Sequence, residues 1–394
     1  MKRISDRISY VGVNDEEKVL FEGLWPLPEG VSYNSYIVED SKTALIDTVG
    51  SGFEEEFLYN IYEAVADRSI DYLVINHMEP DHSSMVGLMM KRYPSMKVVA
   101  NARTVPMLAG YYSVPEDRII VVDDGDSIDL GSCSLSFHMI PMVHWPETMA
   151  TWLELEGTLF CGDVFGSYGS IDEDIVEKKE TFLRYMDEMI RYYSNIVGKY
   201  AGPVQSALKK FDDLDIRRLC SAHGPVWREN VAEVIALYDR LSRDVVERGV
   251  CIVYGSMYGN TAAAAEALGL ELCRRGIPHV LHDLSGNNAG ELGLSAALRD
   301  VFKYETLVVG SPTYNSGIYP PVETFMKALK SRNVRGRRFF AFGSYSWAGA
   351  SVRLLNGIAA AQDFVILGDG LSFAHAYNRQ KVDMAAVARL LYSI

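Results

Sequence analysis

The sequence predicts an α/β protein of two domains, a sheet rich in hairpins followed by a doubly wound parallel sheet. Its 394 residues exceed what one hydrophobic core usually supports. An amphipathic helix predicted over residues 231–247 ends at Gly249, and an apolar strand starts at Val250. Five β-like runs, at residues 250–254, 279–282, 306–310, 339–342 and 364–367, then alternate with helical segments, one of them over residues 289–302, as in a doubly wound sheet. We therefore predict domains over residues 1–249 and 250–394.

Composition and charge exclude several classes of partner. The formal net charge of −14 disfavours nucleic acid and anionic membranes. No apolar run is long enough to cross a bilayer, and the first residues do not lead into a signal-peptide core. The five cysteines contain no Cys-x-x-Cys pair, which excludes a rubredoxin or zinc ribbon within this sequence and favours reduced thiols. We expect a cytoplasmic protein that binds neither nucleic acid nor membranes.

The first part of the chain predicts short strands joined by turns. The β-like runs cover residues 9–13, 36–38 and 44–47, with turn residues between them. Helical spacing follows over residues 53–66. Asp47, at the end of its strand, could orient a metal ligand or only cap a turn, and the sequence leaves both interpretations open.

Four side chains that can bind a divalent metal follow the apolar run over residues 72–75. These four are His77, Glu79, Asp81 and His82. The run is typical of a buried strand that stops where the ligands begin. Alternate positions could serve one ion while the others turn towards a second, so we predict a two-metal site. The alternative is a polar surface loop in which Asp81 caps a helix that starts near Ser83.

Three later strand ends repeat this design. His144, Asp163 and His223 each follow a β-like run and lie next to a glycine or close to a proline. Four separate elements that each deliver a ligand-type residue indicate one common site. The other four histidines lack this context and are expected to be structural: His138, His279, His282 and His375.

A helical segment between these strand ends is rich in tyrosine and methionine. It covers residues 180–197, and such a stripe is more typical of core packing than of a cofactor pocket. Tyr192 and Tyr193 could nevertheless cover the metal pocket.

Three loops in the second predicted domain indicate a flavin site. The first has neutral residues and backbone N–H groups that suit a monoester phosphate at a helix start, and it lacks both the ATP-loop and the dinucleotide patterns. Taken alone, it could equally cap only its own helix. The other two place aromatic residues beside polar groups at the carboxyl ends of strands, which suits an isoalloxazine ring. The candidate FMN-binding residues are Ser256, Met257, Tyr258, Gly259, Asn260 and Thr261, then Pro312, Thr313, Tyr314 and Asn315, and finally Ser344, Tyr345, Trp347 and Gly349.

The chain resembles the flavodiiron proteins, also called A-type flavoproteins, over essentially its whole length. That family joins a metallo-β-lactamase-like αββα sandwich carrying two irons to a flavodoxin-like doubly wound sheet carrying FMN. Its H-x-E-x-D-H motif matches residues 77–82, while Ser346 and Ala348 stand where the family commonly has glycine. The implied ligand sets are His77, Glu79 and His144 for one iron, Asp81, His82 and His223 for the other, and Asp163 as the bridge.

The carboxylate content agrees with iron at this site. Glu79 stands where related hydrolases carry a histidine, and three carboxylates with a bridging hydroxide would neutralise two ferrous ions and favour the ferric state after oxidation. The resemblance implies reduction of dioxygen to water, of nitric oxide to nitrous oxide, or both. Electrons would come through FMN from rubredoxin, a reduced deazaflavin coenzyme or an NAD(P)H-linked reductase. It also implies a head-to-tail homodimer or a dimer of dimers.

Two other functions stay open from the residues alone. One is a dinuclear zinc hydrolase with a flavodoxin-like docking module, which two zincs per chain and no flavin absorbance would favour. The other is an electron carrier that uses FMN alone. No motif encodes the preference between the two gases or names the electron donor.

Overall fold

The computed structural model describes residues 2–171, 175–178, 182–286, 291–378 and 380–392. The chain divides into two compact units. Their extents are Met1–Phe21 with Leu27–Arg243, and Glu22–Pro26 with Asp244–Ile394.

The helix predicted over residues 231–247 is shorter in the structure. It runs over Val231–Ser242, and a strand occupies Glu247–Tyr254. Asp244 has a φ of 58°, which a continuing α-helix cannot accommodate. The Arg337 guanidinium donates to both carboxylate oxygens of Asp244 and so holds the chain in this turn. The prediction missed this because the helical periodicity continues past the turn.

The first unit is built on two sheets. The seven-stranded sheet has the spatial order Lys2–Arg3, Ile8–Tyr10, Tyr36–Glu39, Thr43–Ile46, Tyr72–Val74, Lys97–Asn101 and Ile119–Val122. The five-stranded sheet has the order Ser127–Asp129, Ser134–Met139, Met149–Leu153, Thr158–Gly162 and Arg218–Ser221. Val13–Asp15 pairs with Val31–Tyr33 in a separate ribbon, and Leu20–Phe21 is a further short strand.

One hydrophobic core joins the two sheets. Val74 and Val99 from the larger sheet and Phe137 and Phe160 from the smaller one are buried in the same cluster. Each sheet thus turns one apolar face towards the other, which is the arrangement that a sandwich requires. The predicted αββα sandwich is confirmed.

The helices of the first unit lie between these strands along the chain. The α-helices are Glu54–Val65, Pro80–Ser83, Val86–Arg92, Thr104–Tyr112, Phe182–Tyr192, Ala201–Phe211 and Val231–Ser242. Shorter helical turns cover Glu116–Arg118, Glu154–Glu156, Tyr193–Val197 and Gly198–Tyr200. Residues 180 and 181 of the predicted tyrosine-rich helix lie outside the described residues.

The second unit contains a parallel sheet with helices between its strands, which confirms the predicted doubly wound fold. The spatial order is His279–Asp283, Glu247–Tyr254, Tyr304–Gly310, Arg338–Tyr345 and Val365–Ile366, with Leu371–Ala374 also paired to Arg338–Tyr345. This is the 2-1-3-4-5 order, in which ligands bind at the carboxyl edge beside the first strand. The fifth position is divided between two short strands, whereas the sequence predicted only the first of them.

Among the described residues, four helices connect these strands and a fifth, Met384–Tyr392, follows the last one. The four are Asn260–Arg274, Gly293–Lys303, Pro320–Ser331 and Ser351–Ala360. Short strands also occur at Trp25–Pro26, Thr313–Tyr314 and Gly317–Ile318. Residues 289 and 290 of the helix predicted over 289–302 lie outside the described part of the chain. Within that part, none of the helices combines the length and the apolar character that a bilayer crossing needs.

Candidate functional site

The predicted metal ligands extend from the ends of buried strands in the first unit. His77 follows Tyr72–Val74, and Asp163 and His223 follow two adjacent parallel strands of the smaller sheet. Asp81 and His82 lie within the short helix that begins at Pro80, so Asp81 does not cap a helix starting near Ser83. The sheets therefore fix where the ligand-bearing segments begin.

The structure brings all seven predicted ligands together in two adjoining groups. Within each group the ligand atoms lie within 4.8 Å of one another. In the first group, one Glu79 oxygen is 2.9 Å from His144 Nε2 and 3.3 Å from His77 Nε2. In the second, the Asp81 oxygens are 3.4 Å from His82 Nε2 and 3.5 Å from His223 Nε2.

Asp163 joins the two groups because each of its oxygens faces one of them. Oδ2 is 3.2 Å from His77 Nε2 and 3.1 Å from His144 Nε2. Oδ1 is 3.1 Å from His82 Nε2 and 3.5 Å from His223 Nε2. Asp163 is therefore placed where one carboxylate would contact two ions, with histidine and acidic side chains of one group around each.

Hydrogen bonds among the described residues leave several of these atoms unsatisfied. The buried atoms without a partner include Nε2 of His82, His144 and His223, Oδ1 of Asp81 and both oxygens of Asp163. Buried polar atoms are normally paired, and buried charges normally have a counter-charge or coordinate a metal. Imidazole and carboxylate donors that converge without partners fit a pair of divalent metal ions.

Protons occupy this cluster when metal does not. Burial alone would lower the pKa of His82, but the charges of Asp81 and Asp163 outweigh it and raise the pKa to about 9. Burial would also lower the pKa of His144, whereas the adjacent carboxylates of Asp163 and Glu79 raise it to about 9. Both rings are therefore protonated near neutral pH in the apoprotein.

We expect the apparent affinity of the apoprotein for divalent metal to rise with pH up to about 9. His82 and His144, with pKa values of about 9, must release their protons before they can ligate, so a higher pH removes a competitor. Titration calorimetry with Zn²⁺ in buffers of different ionisation enthalpy counts the released protons. Binding near neutral pH without proton release would contradict this prediction.

Glu147 contacts His77, one of the predicted metal ligands, although sequence reasoning did not single it out. Its Oε1 accepts hydrogen bonds from His77 Nδ1 at 2.8 Å and from Met78 N at 3.0 Å. Asp47, the candidate from the sequence, instead accepts from the backbone N–H of Asn76 at 2.7 Å. The only sequence signal for Glu147 is an acid three positions after His144, in the same turn.

Aromatic rings close the site around His223. The rings of Phe21 and Tyr192 have centroids 5.2 Å and 5.6 Å from the His223 ring, and Tyr168 packs on both of them. Tyr192 therefore covers the pocket, whereas Tyr193 packs against Tyr238. These buried rings give the His223 side of the second group an apolar surround.

The second unit has a cavity of about 580 Å³ at the carboxyl edge of its sheet. Twelve of the fourteen predicted FMN-binding residues line it, and Gly259 and Gly349 do not. The lining also contains Ser316, Ser346, Ala348 and His375, although His375 was expected to be structural. His138 is half-buried. His279 bonds the Ile277 carbonyl, and His282 bonds the Asp300 carboxylate.

The loop before the helix Asn260–Arg274 is held by a glycine with positive φ and by hydroxyl contacts. Gly259 has a φ of 82°, and a Cβ there would meet nothing within 4 Å, so backbone conformation rather than crowding favours glycine. Ser256 Oγ accepts from the N–H of Ala262 at 3.2 Å. The Thr261 and Ser344 hydroxyls are 2.9 Å apart, which ties this loop to the strand Arg338–Tyr345.

The cavity lining is almost uncharged. Among the described residues, the lining contains no lysine or arginine, and His375 is the only histidine in it. Trp347 is 91% exposed and Tyr258 is 88% exposed at its rim. The cavity thus offers neutral donors for a phosphate and aromatic surface for a planar ring.

Comparisons with known proteins match both predicted domains. Residues 31–224 match the family model for ODP family beta lactamase, and residues 252–386 match that for flavodoxin. The anaerobic nitric oxide reductase flavorubredoxin of Vibrio vulnificus is 31% identical over 359 residues, covering 89% of this chain and 71% of that protein. An uncharacterised protein of Methanocaldococcus jannaschii is 30% identical and covers 93% of this chain and 91% of its own length.

Solved structures agree over the whole chain. The rubredoxin oxygen:oxidoreductase of Desulfovibrio gigas has a TM-score of 0.91 at 26% identity, covering 100% of this chain and 98% of that chain. The flavodiiron protein of Giardia intestinalis has a TM-score of 0.92 at 25% identity, covering 99% of this chain and 95% of that chain.

Proposed function

Because the chain belongs to the flavodiiron protein family, we propose that it is an FMN- and diiron-dependent oxidoreductase. It would reduce dioxygen to water, nitric oxide to nitrous oxide, or both. The membership confirms the resemblance found from the ligand motif. The names of the relatives, a nitric oxide reductase and an oxygen oxidoreductase, support both gases equally.

The observation that carries this proposal is the convergence of seven buried or half-buried ligand side chains, five of which have buried atoms without a hydrogen-bond partner among the described residues: Asp81, His82, His144, Asp163 and His223. We assign His77, Glu79 and His144 to one iron, Asp81, His82 and His223 to the other, and Asp163 to both. The two geometric groups support this division. The division of function between residues 1–249 and 250–394 stays a prediction.

We assign the cavity of the second unit to FMN. The match to flavodoxin and the neutral phosphate loop support this cofactor. When bound, the metals would hold and reduce the gas with electrons supplied through FMN. The protein's own part is to hold both cofactors, and the rings of Phe21, Tyr168 and Tyr192 keep bulk water from the metal ligands.

The electron donor follows from the relatives only as a proposal. Two of them carry rubredoxin in their names, so we propose a separate rubredoxin as donor. A reduced deazaflavin coenzyme and an NAD(P)H-linked reductase are the other candidates. Reduction of the bound FMN by each donor, followed by absorbance under anaerobic conditions, would identify the one that reacts fastest.

We further propose a head-to-tail homodimer, alone or paired into a dimer of dimers, that apposes one subunit's FMN to the other's irons. The exposed Trp347 and Tyr258 at the cavity rim support a covering surface there. Turnover per chain should then fall on dilution as the dimer dissociates. Full turnover by a strictly monomeric protein at high dilution would contradict this prediction.

Anaerobic assays with each gas test the function directly. The purified protein is reduced chemically, dioxygen or nitric oxide is added, and consumption is followed electrochemically. We expect at least one gas to be consumed with FMN and two irons per chain. Two zincs per chain, no flavin absorbance and esterase activity would instead identify a hydrolase.

A further inference from the structure

Glu147 is a buried carboxylate with a defined relation to one metal ligand. It is 1% exposed and precedes the strand Met149–Leu153 by two residues. Its Oε1 accepts from the His77 ring at Nδ1 and from the backbone N–H of Met78. The same carboxylate oxygen therefore fixes both the ring and the backbone that follows it.

The position of Glu147 is itself fixed by a neighbouring strand. The side-chain amide of Asn101, at the end of the strand Lys97–Asn101, donates to the Glu147 carbonyl at 2.5 Å. Asn101 Oδ1 in turn accepts from the backbone N–H groups of Arg103 and Thr104. A side chain held in this way loses little further freedom when it orients a ligand.

The other histidines of the site have different partners. His223 Nδ1 bonds the backbone carbonyl of Ser32 at 2.7 Å, which is a neutral acceptor. His82 Nδ1 is buried and has no hydrogen-bond partner among the described residues. A charged acceptor therefore distinguishes His77 from these two histidines.

We propose that Glu147 is a positioning residue that fixes the tautomer of His77 and, through its charge, lowers the reduction potential of the metal position that His77 serves. The proposal rests on the diiron function proposed above. A proton held at Nδ1 leaves Nε2 free to ligate, and a carboxylate behind an imidazole makes it a stronger donor. A negative charge nearby favours the more positively charged ferric state.

The substitution E147Q separates charge from orientation. Glutamine keeps an oxygen that can accept from both His77 Nδ1 and Met78 N, but it carries no charge. E147A removes the oxygen as well. D47N is the matched control, because Asp47 is also buried, at 5% exposure, and its oxygen bonds only backbone among the hydrogen bonds that the structure shows.

Three measurements on the holoprotein test the proposal: iron and FMN content, affinity for Fe²⁺, and the midpoint potential of the iron signal in a redox titration. In E147Q we expect two irons per chain and a potential more positive than in both the wild type and D47N. In E147A we expect about 10–100-fold weaker metal binding. E147D keeps the charge, so its potential should stay near that of the wild type.

Two results would overturn the proposal. One is an E147Q potential equal to that of the wild type or of D47N. The other is an E147D potential displaced as far as that of E147Q, which would show that packing rather than charge sets the potential. A wild-type protein that binds no iron would overturn the proposed function instead, so the two failures are distinguishable.

Discussion

Replacing Asp163 with asparagine will abolish gas reduction while the flavin remains bound and reducible. Each Asp163 oxygen faces one ligand group, at 3.1 Å from His144 Nε2 and 3.1 Å from His82 Nε2. Asparagine offers one oxygen and no charge, so it cannot bridge two cations. We expect loss of at least one metal per chain and at least about a 100-fold fall in turnover, since even removing the partner of a ligand costs 10–100-fold.

Metal analysis and gas consumption measure this effect, and flavin absorbance shows that the second unit is intact. E177Q is a suitable control. Glu177 is also buried in the first unit, but it accepts from the backbone N–H groups of Arg228 and Glu229 and from the Asn230 amide rather than facing the cluster. The E177Q substitution should lower the free energy of unfolding and leave the metal content unchanged. A D163N protein with two metals and normal turnover would exclude the bridge.

Placing an aspartate at Ser256 will weaken FMN binding by at least about 100-fold, equal to about 2.7 kcal/mol. Ser256 lies in the loop assigned to the phosphate, where the described lining residues include no lysine or arginine to offset a new negative charge. A phosphate monoester carries about −1.5 to −2 charges near neutral pH, and repulsion at a few ångströms in a partly buried site is of this size. Fluorescence titration of the apoflavoprotein gives the dissociation constant.

Riboflavin provides the control for this substitution because it has the ring but no phosphate. Its affinity should be nearly equal in the wild type and S256D. S256A loses only the bond from Ala262 N to Ser256 Oγ, so its FMN affinity should fall by less than about tenfold. Equal losses of FMN and riboflavin in S256D would mean that the phosphate does not bind in this loop.

Much of the fold was predictable because its signals are local. Apolar runs such as residues 72–75 and 250–254 form buried strands, and each ends where a polar loop begins. A strand end also constrains where the next side chain points. His77, Asp163 and His223 each follow a strand, and this shared position predicted that they converge.

The remaining features depend on contacts between distant parts of the chain. Glu147 meets His77 only because the two sheets bring their segments together, and no local pattern encodes that meeting. The helix Val231–Ser242 is followed by a turn in which Asp244 bonds Arg337, a residue 93 positions later in the chain. His375 reaches the flavin cavity because the strand Leu371–Ala374 pairs with Arg338–Tyr345, which the sequence did not predict.

The order of the ligands along the chain has a consequence for biosynthesis. His77 is made early, whereas His223 is made after most of the first unit has left the ribosome. A nascent chain that lacks the last strand has the complete first group but lacks His223 of the second, so the second ion must load after that strand has been added. Ions seated there then cross-link distant segments and close long loops, which restricts the unfolded chain as a covalent staple does.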